Sequence, residues 1–260
     1  MSSRATAELL DPGPPHARLV RAGARLAGVG ATALATARRL RELRRDAPES
    51  ALVHARALAL RDAARRVLAL HGIDAAAEGA PALGPAILAA NHVSWLDPLV
   101  VAAQLPCIPV SKLDVAGWPV VGNLARELGV VFVARGDTGS GARALRDVRA
   151  ALAGGACVLN FPEGTTSDGH AVLPFRAGLF GLALRAGVPV VPVAIRYHPR
   201  RLAWTGDASF LPHYLRVASA RGAQVSIRFG APIAPAAGAS ARALADEARA
   251  QVARLLLEDR

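Results

Sequence analysis

Short runs of uninterrupted apolar residues, spaced by stretches of helical periodicity, constrain this chain more than any other feature. Strand-type runs fall near residues 86–91, 107–111, 129–133, 156–161, 189–196 and 224–229, and helical runs near 97–104, 117–128, 138–153, 175–186 and 240–258. A strand with one face in water alternates polar and apolar residues, as 224–229 does, whereas most of these runs are almost continuously apolar, so the sheet they form must be covered on both faces. Helices lying between the strands in sequence supply that cover. The expected fold is α/β: a single domain with a mostly buried mixed sheet flanked by helices. At 260 residues the chain can bury one good-sized core.

Two helical stretches, about 18–45 and 50–71, precede the alternating region and are separated near Pro48. In the second, Leu60, Ala64, Val67 and Leu68 form an apolar stripe beside Arg61, Arg65 and Arg66, and Gly72 ends it. Residues 1–17, with Pro12, Pro14 and Pro15, read as a disordered leader. The expected organisation is therefore a leader over 1–17, a basic helical segment over 18–71 and an α/β domain over 72–260.

The net charge is +11, almost all of the positive charge is arginine, and more than half of the excess lies in residues 1–70. A basic arm of this kind points to an anionic partner. Nucleic acid is not expected, since no zinc-finger spacing, aromatic RNP-type stretch or helix-turn-helix pattern is present. The stretch Leu26–Ala37 is too short and too rich in Ala and Gly to span a bilayer. Its alternatives are a helix lying in a membrane interface or a solvated helix packed on the domain. The first dozen residues carry acids and prolines, so no secretory signal is expected. Cys107 and Cys157 each sit in an apolar segment and read as small buried hydrophobes, and the scattered histidines lack metal-ligand spacing, so no metal is expected.

Chemistry enters at Asn91-His92-Val93-Ser94-Trp95-Leu96-Asp97, directly after the run Ala86–Ala90. His92 and Asp97 are five positions apart, an offset that separates two side chains on a helix and puts them on opposite faces of a strand. They meet only across a tight turn, and turns at strand ends are where reactive groups gather. A carboxylate accepting the imidazole Nδ1–H would leave Nε2 free as a base near neutral pH. The alternative is a surface His and an Asp that caps a helix before Pro98. Ser94 reads as a turn or cap residue rather than a nucleophile.

Three further blocks follow in order: Gly129 to Asp137, an apolar run ending at Arg135; Val158 to Ser167, containing Phe161-Pro162-Glu163-Gly164-Thr165-Thr166; and Val188 to Ala194, interrupted by Pro189 and Pro192. Arg135 should project from a strand end, where it is either a phosphate ligand or a solvated charge. Gly164 would let backbone approach a substrate closely, and Thr165 offers hydroxyl and amide donors. Lys112, the single lysine of the chain, follows the run 107–111. Either a compact ammonium is wanted there or it stands there by chance.

Together the four blocks, spanning residues 91 to 194, resemble the glycerolipid acyltransferase family, the bacterial 1-acylglycerol-3-phosphate acyltransferases. The resemblance implies transfer of a fatty acyl group from a thioester, acyl-CoA or acyl carrier protein, to a glycerolipid hydroxyl, with no cofactor and no acyl-enzyme. It makes His92 the base and Asp97 its orienting carboxylate, with Asn91 and Ser94 as neighbours at the substrates. Arg135 and the Glu163-Gly164-Thr165 turn would hold the acceptor's phosphate side, Lys112 would lie in the positive pocket, and Arg176 stands where the family commonly has Lys. Thr166 departs from the pattern, occupying a position where the family often has Arg. The absence of a Gly-x-Ser-x-Gly elbow agrees with direct attack. The implied acceptor is lysophosphatidic acid, with lyso-ornithine lipid as the alternative. The implied location is peripheral or monotopic at the cytoplasmic face of a bacterial inner membrane.

Asp137-Thr138-Gly139 imitates an aspartic-protease triplet, but such a site needs two copies and the chain has one. A non-catalytic membrane-binding protein on a decayed acyltransferase fold is opposed by the presence of both His92 and Asp97.

Overall fold

The computed structural model describes residues 14–79, 84–134, 136–198, 202–205, 209–236 and 238–258. Two long helices come first, α1 (Pro15–Asp46) and α2 (Glu49–Leu70). Then come β1 (Ile73–Glu78), β2 (Ile87–Ala90), α3 (Asp97–Gln104), β3 (Cys107–Lys112), α4 (Leu113–Ala116), α5 (Val121–Glu127), β4 (Val131–Val133), α6 (Thr138–Ala153) and β5 (Cys157–Asn160). The chain closes with α7 (Gly178–Ala186), β6 (Val190–His198), α8 (Phe210–Ser219), β7 (Ala223–Phe229) and α9 (Ala241–Leu257).

The strands form one seven-stranded sheet in the order β1-β7-β6-β2-β5-β3-β4. Neighbours pair in parallel except β6 with β7, which are antiparallel. The sheet is thus mixed, as expected, and β6, β2, β5, β3 and β4 all end at the same edge. Every residue of β2 and β5 is buried. In β2, Leu88 and Ala90 pack with α2, α3 and Leu40 of α1, while Ile87 and Ala89 pack with α6, α7 and α9. Period-two alternation across a doubly covered strand produces this three-layer arrangement. Cys107 and Cys157 are buried register partners across β3 and β5, both free thiols, and burial pushes the pKa of each up.

Several expectations need correction. Helix α1 begins at Pro15, so the end of the expected leader is helical, while residues 1–13 lie outside the described residues. The helix expected over 117–128 is broken: Trp118-Pro119 leads into a γ-turn at Val120 (φ 64°), with the Val121 amide on the Pro119 carbonyl at 2.6 Å. Pro119 denies the run a backbone donor there, and Gly122 lies so close beneath the Ala116 carbonyl that no Cβ would fit. Strand β1 and helix α8 were not anticipated.

The basic N-terminal segment is packed on the domain. Arg25 is buried in α1, donating from Nε to the Leu70 carbonyl (2.8 Å) and from its Nη atoms to those of Ala218 (3.1 Å), Ala220 (2.5 Å) and Arg221 (3.1 Å). One guanidinium thus caps the C-terminal ends of α2 and α8, where the carbonyls lack helical partners and a positive charge is favoured. Arg21 joins it through the Ser219 carbonyl at 2.6 Å. Leu19, Val20, Leu26 and Leu34 of α1 are exposed. No helix among the described residues is long and apolar enough to cross a membrane.

Candidate active site

The turn after β2 brings His92 and Asp97 together. Asp97 opens α3 with Pro98 behind it, a position suited to proline because the first helical N–H groups need no helical acceptor. Its carboxylate is fully buried and turns back over the loop. Oδ2 accepts the Val93 amide at 2.6 Å, the Ser94 amide at 2.9 Å and His92 Nδ1 at 2.7 Å. Oδ1 accepts the hydroxyl of Tyr197, on β6, at 2.6 Å. An oxygen that already takes two amide protons is an acceptor toward Nδ1, so the ring carries its proton there and leaves Nε2 with a free lone pair. The His92 side chain keeps 20% of its surface accessible while Asp97 keeps none. The pair therefore has one face for a reactant and one locked in protein.

Phe161, at the end of β5, stacks on the imidazole with ring centroids 4.2 Å apart and planes inclined by 22°. The same turn delivers Glu163, whose Oε1 accepts the main-chain N–H of His92 at 3.2 Å. Glu163 is buried, and its Oε2 has no hydrogen-bond partner among the described residues. Burial pushes this carboxyl up to about 7, against the pull of the His92 and Leu173 amides and of Arg249. The Ser167 amide closes the contact between the turns on the His92 carbonyl at 2.8 Å.

The other anticipated residues divide. Gly164 has φ +71°, and the guanidinium of Arg176 sits where a side chain would start, Nε lying 2.8 Å from an ideal Cβ. The exposed Arg176 thus lays its guanidinium against the Gly164 backbone, and Thr165 is exposed beside it. Lys112 ends β3 at the same sheet edge and pairs with Asp114. Arg135 lies outside the described residues. Asn91 spends its amide on β6: its Nδ2 donates to the Ile195 carbonyl (3.0 Å) and its Oδ1 accepts the Ile195 amide (2.8 Å), which prolongs the β2–β6 pairing past the end of β2. Ser94 is fully buried, with its Oγ accepting the Leu96 amide at 3.4 Å, a turn residue. Asp137 caps α6 through the Gly139 and Ser140 amides, which disposes of the protease-like triplet. The described residues contain no cluster able to hold a metal. Sequence reasoning missed Phe161 as a ring partner and Tyr197 altogether; the adjacency of Phe161 to the Pro162-Glu163-Gly164 turn was the available signal for the first.

Fold and site define an α/β enzyme with a buried-carboxylate histidine at the ends of parallel strands. The model of the family described as Acyltransferase matches residues 71–196. The lyso-ornithine lipid O-acyltransferase of Rhizobium meliloti is 39% identical over 164 residues, 56% of each chain. That of Brucella abortus is 34% identical over 190 residues, covering 66% of this chain and 71% of its own. The 1-acyl-sn-glycerol-3-phosphate acyltransferase of Neisseria gonorrhoeae is 38% identical over 131 residues, half of each chain. The match thus spans little more than half the length of the Rhizobium relative. The crystal structure of the acyltransferase PlsC from Thermotoga maritima superposes with a TM-score of 0.74 at 22% identity, covering 93% of this chain and 95% of that one. The chain belongs to the acyltransferase family, and it shares the fold of PlsC.

Proposed function

We propose that this protein transfers a fatty acyl group from acyl-CoA or acyl carrier protein to the hydroxyl of a lysolipid, with His92 as general base. The observation that carries this reading is the Nδ1 contact to buried Asp97, with the ring's other nitrogen left for a reactant. In the proposed step Nε2 takes the acceptor's proton as the oxygen attacks the thioester carbonyl. Asp97 stabilises the imidazolium that forms, and the proton then passes to the departing thiolate. General-base assistance contributes about 10²–10⁴-fold; holding both substrates together supplies much of the rest. Arg176, Lys112 and Arg135 are the cations proposed to receive the acceptor's polar end and the donor's phosphates.

For the acceptor, lyso-ornithine lipid is placed first and lysophosphatidic acid second. The Brucella relative, matched over 71% of its own length, acts on lyso-ornithine lipid by its name, as does the Rhizobium one. The Neisseria relative keeps the second reading in play. The exposed arginines of α1 are proposed to hold the protein on the anionic cytoplasmic face of the membrane. Purified protein incubated with an acyl-CoA and both lysolipids, with products identified by mass, tests the proposal. Formation of diacylated ornithine lipid in excess over phosphatidic acid is expected. The reverse ratio installs the second reading, and thioester consumption with neither product refutes both.

A further inference from the structure

Strand β6 outruns its neighbour. Its register with β2 runs from Val190 opposite Ile87 to Val193 opposite Ala90, after which β2 ends and β6 continues to His198. Val193, Ile195 and Tyr197 alternate onto one face of β6. The first pairs with β2, the second receives the Asn91 side chain, and the third stands level with the turn that carries His92 and Asp97. On its other side β6 is pinned to β7, with Tyr197 opposite Val225. Tyr197 is thus a fully buried phenol on a strand fixed from both sides, and its hydroxyl donates to the one oxygen of Asp97 that does not hold the imidazole.

We propose that Tyr197 is a positioning residue for the reaction, holding Asp97 from the side opposite His92 and so fixing the direction and basicity of the imidazole. This rests on the reading of His92 as base. A carboxylate pinned only through Oδ2 could pivot about that oxygen, and the Tyr197 hydroxyl removes the freedom. The same bond draws charge out of the carboxylate, which limits how strongly Asp97 stabilises the imidazolium. The phenol stays protonated, because burial and the Asp97 carboxylate both push its pKa well above the ordinary value. The ionisable groups around this centre are few among the described residues. Glu163 from the β5 turn reaches the His92 main chain, and Arg249 of α9 acts on Glu163. Arg196 lies on the opposite face of β6 by strand alternation.

The test is the pH profile of kcat/KM in Tyr197→Phe, which removes the donor and keeps the ring. Loss of that hydrogen bond leaves Asp97 a stronger partner for the imidazolium, so the acid limb should move up by about half a pH unit or more. kcat should fall about 10- to 100-fold, the range typical for removing an outer partner of a functional histidine, with both KM values within about twofold. The profile is repeated in a Glu163→Gln background, so that titration of Glu163 cannot supply the shift. Replacing Tyr197 with 3-fluorotyrosine, a stronger donor of nearly the same volume, should move the limb down; it also serves if Tyr197→Phe folds poorly. An unmoved limb in both variants, or shifts of the same sign, overturns the proposal, since a merely structural tyrosine has no reason to produce opposite shifts. If His92→Ala retains activity, the reading of His92 fails instead.

Discussion

Arg25 and Asp97 are both buried charges, and they solve burial in opposite ways. Among the described residues Arg25 is buried and spends its donors on main-chain carbonyls at two helix ends. Asp97 is fully enclosed, but one of its donors is an imidazole that itself remains partly accessible. The first arrangement is closed and fastens α1 to the domain. The second is open at one atom, and the open atom is where chemistry can begin. Burying a charge is thus not itself a mark of a reactive site; what distinguishes one is a partner that relays the charge to the surface.

The sharpest way to break this contrast is His92→Ala. Transfer should fall by about 10³-fold or more, with Asp97→Asn losing about 10²-fold or more. The melting temperature of His92→Ala should stay within a few degrees of the parent, since the ring is partly exposed. Initial rates and thermal melts on the same preparations check this, and a variant retaining a tenth of the activity would remove His92 from the mechanism.

Arg25→Met should reverse the pattern. Losing charge-assisted bonds to carbonyls that then stay buried is expected to cost about 3 kcal/mol. Denaturant melts would read it, and kcat of the folded fraction should remain within about twofold. Equal losses of activity and stability in both variants would erase the distinction drawn here.

Glu163 offers a test through pH. Its folded pKa of about 7 lies above the ordinary 4.5, so between those values the unfolded chain has released a proton that the folded protein keeps. Stability should therefore fall as pH rises from about 4.5 to about 7, by roughly 3 kcal/mol, and level off above. Denaturant midpoints for parent and Glu163→Gln should diverge across that window, the variant lacking this component of the slope.

The smallest effect concerns the membrane arm. Arg21 and Arg25 face inward, which leaves Arg18, Arg38, Arg39, Arg41, Arg44 and Arg45 exposed on α1, with Arg39 engaged by Asp62 at 2.6 Å. Deleting the arm would destroy packing as well as charge, since Leu40 joins the core. Changing Arg38, Arg41, Arg44 and Arg45 to Gln is cleaner. Flotation with anionic vesicles should weaken about tenfold at low salt, and the difference should vanish at high salt. Unchanged flotation would leave the arm without this role.

The contrast also marks how far the sequence could be read. His92 and Asp97 lie within one turn, so their meeting follows from local geometry, and the strands of the core announce themselves by continuous hydrophobicity. Tyr197 reaches Asp97 across a hundred positions, and nothing near it in sequence speaks of a carboxylate. Strand β1 carries Ala75-Ala76-Ala77, residues of low strand propensity held by pairing with β7. Gly164 was legible as a place of close approach, but only the fold reveals that Arg176 is what approaches. Arg25 fell within the basic arm expected to meet an anionic partner, because a helix pattern cannot show which distant carbonyls will need it.

The Arg25 clamp also dictates a sequence of events during biosynthesis. Its partners at residues 218–221 are made as many as 196 positions later, and β1 likewise waits for β7. At translation rates of about 5–20 residues per second that interval is roughly 10–40 s. Throughout it the newborn helix can reach only its nearer partner, the Leu70 carbonyl, and the Nη atoms of its cation wait for residues 218–221. The long loop closure this requires makes completion of the clamp, though not the pairing of the first two helices, a late step of folding.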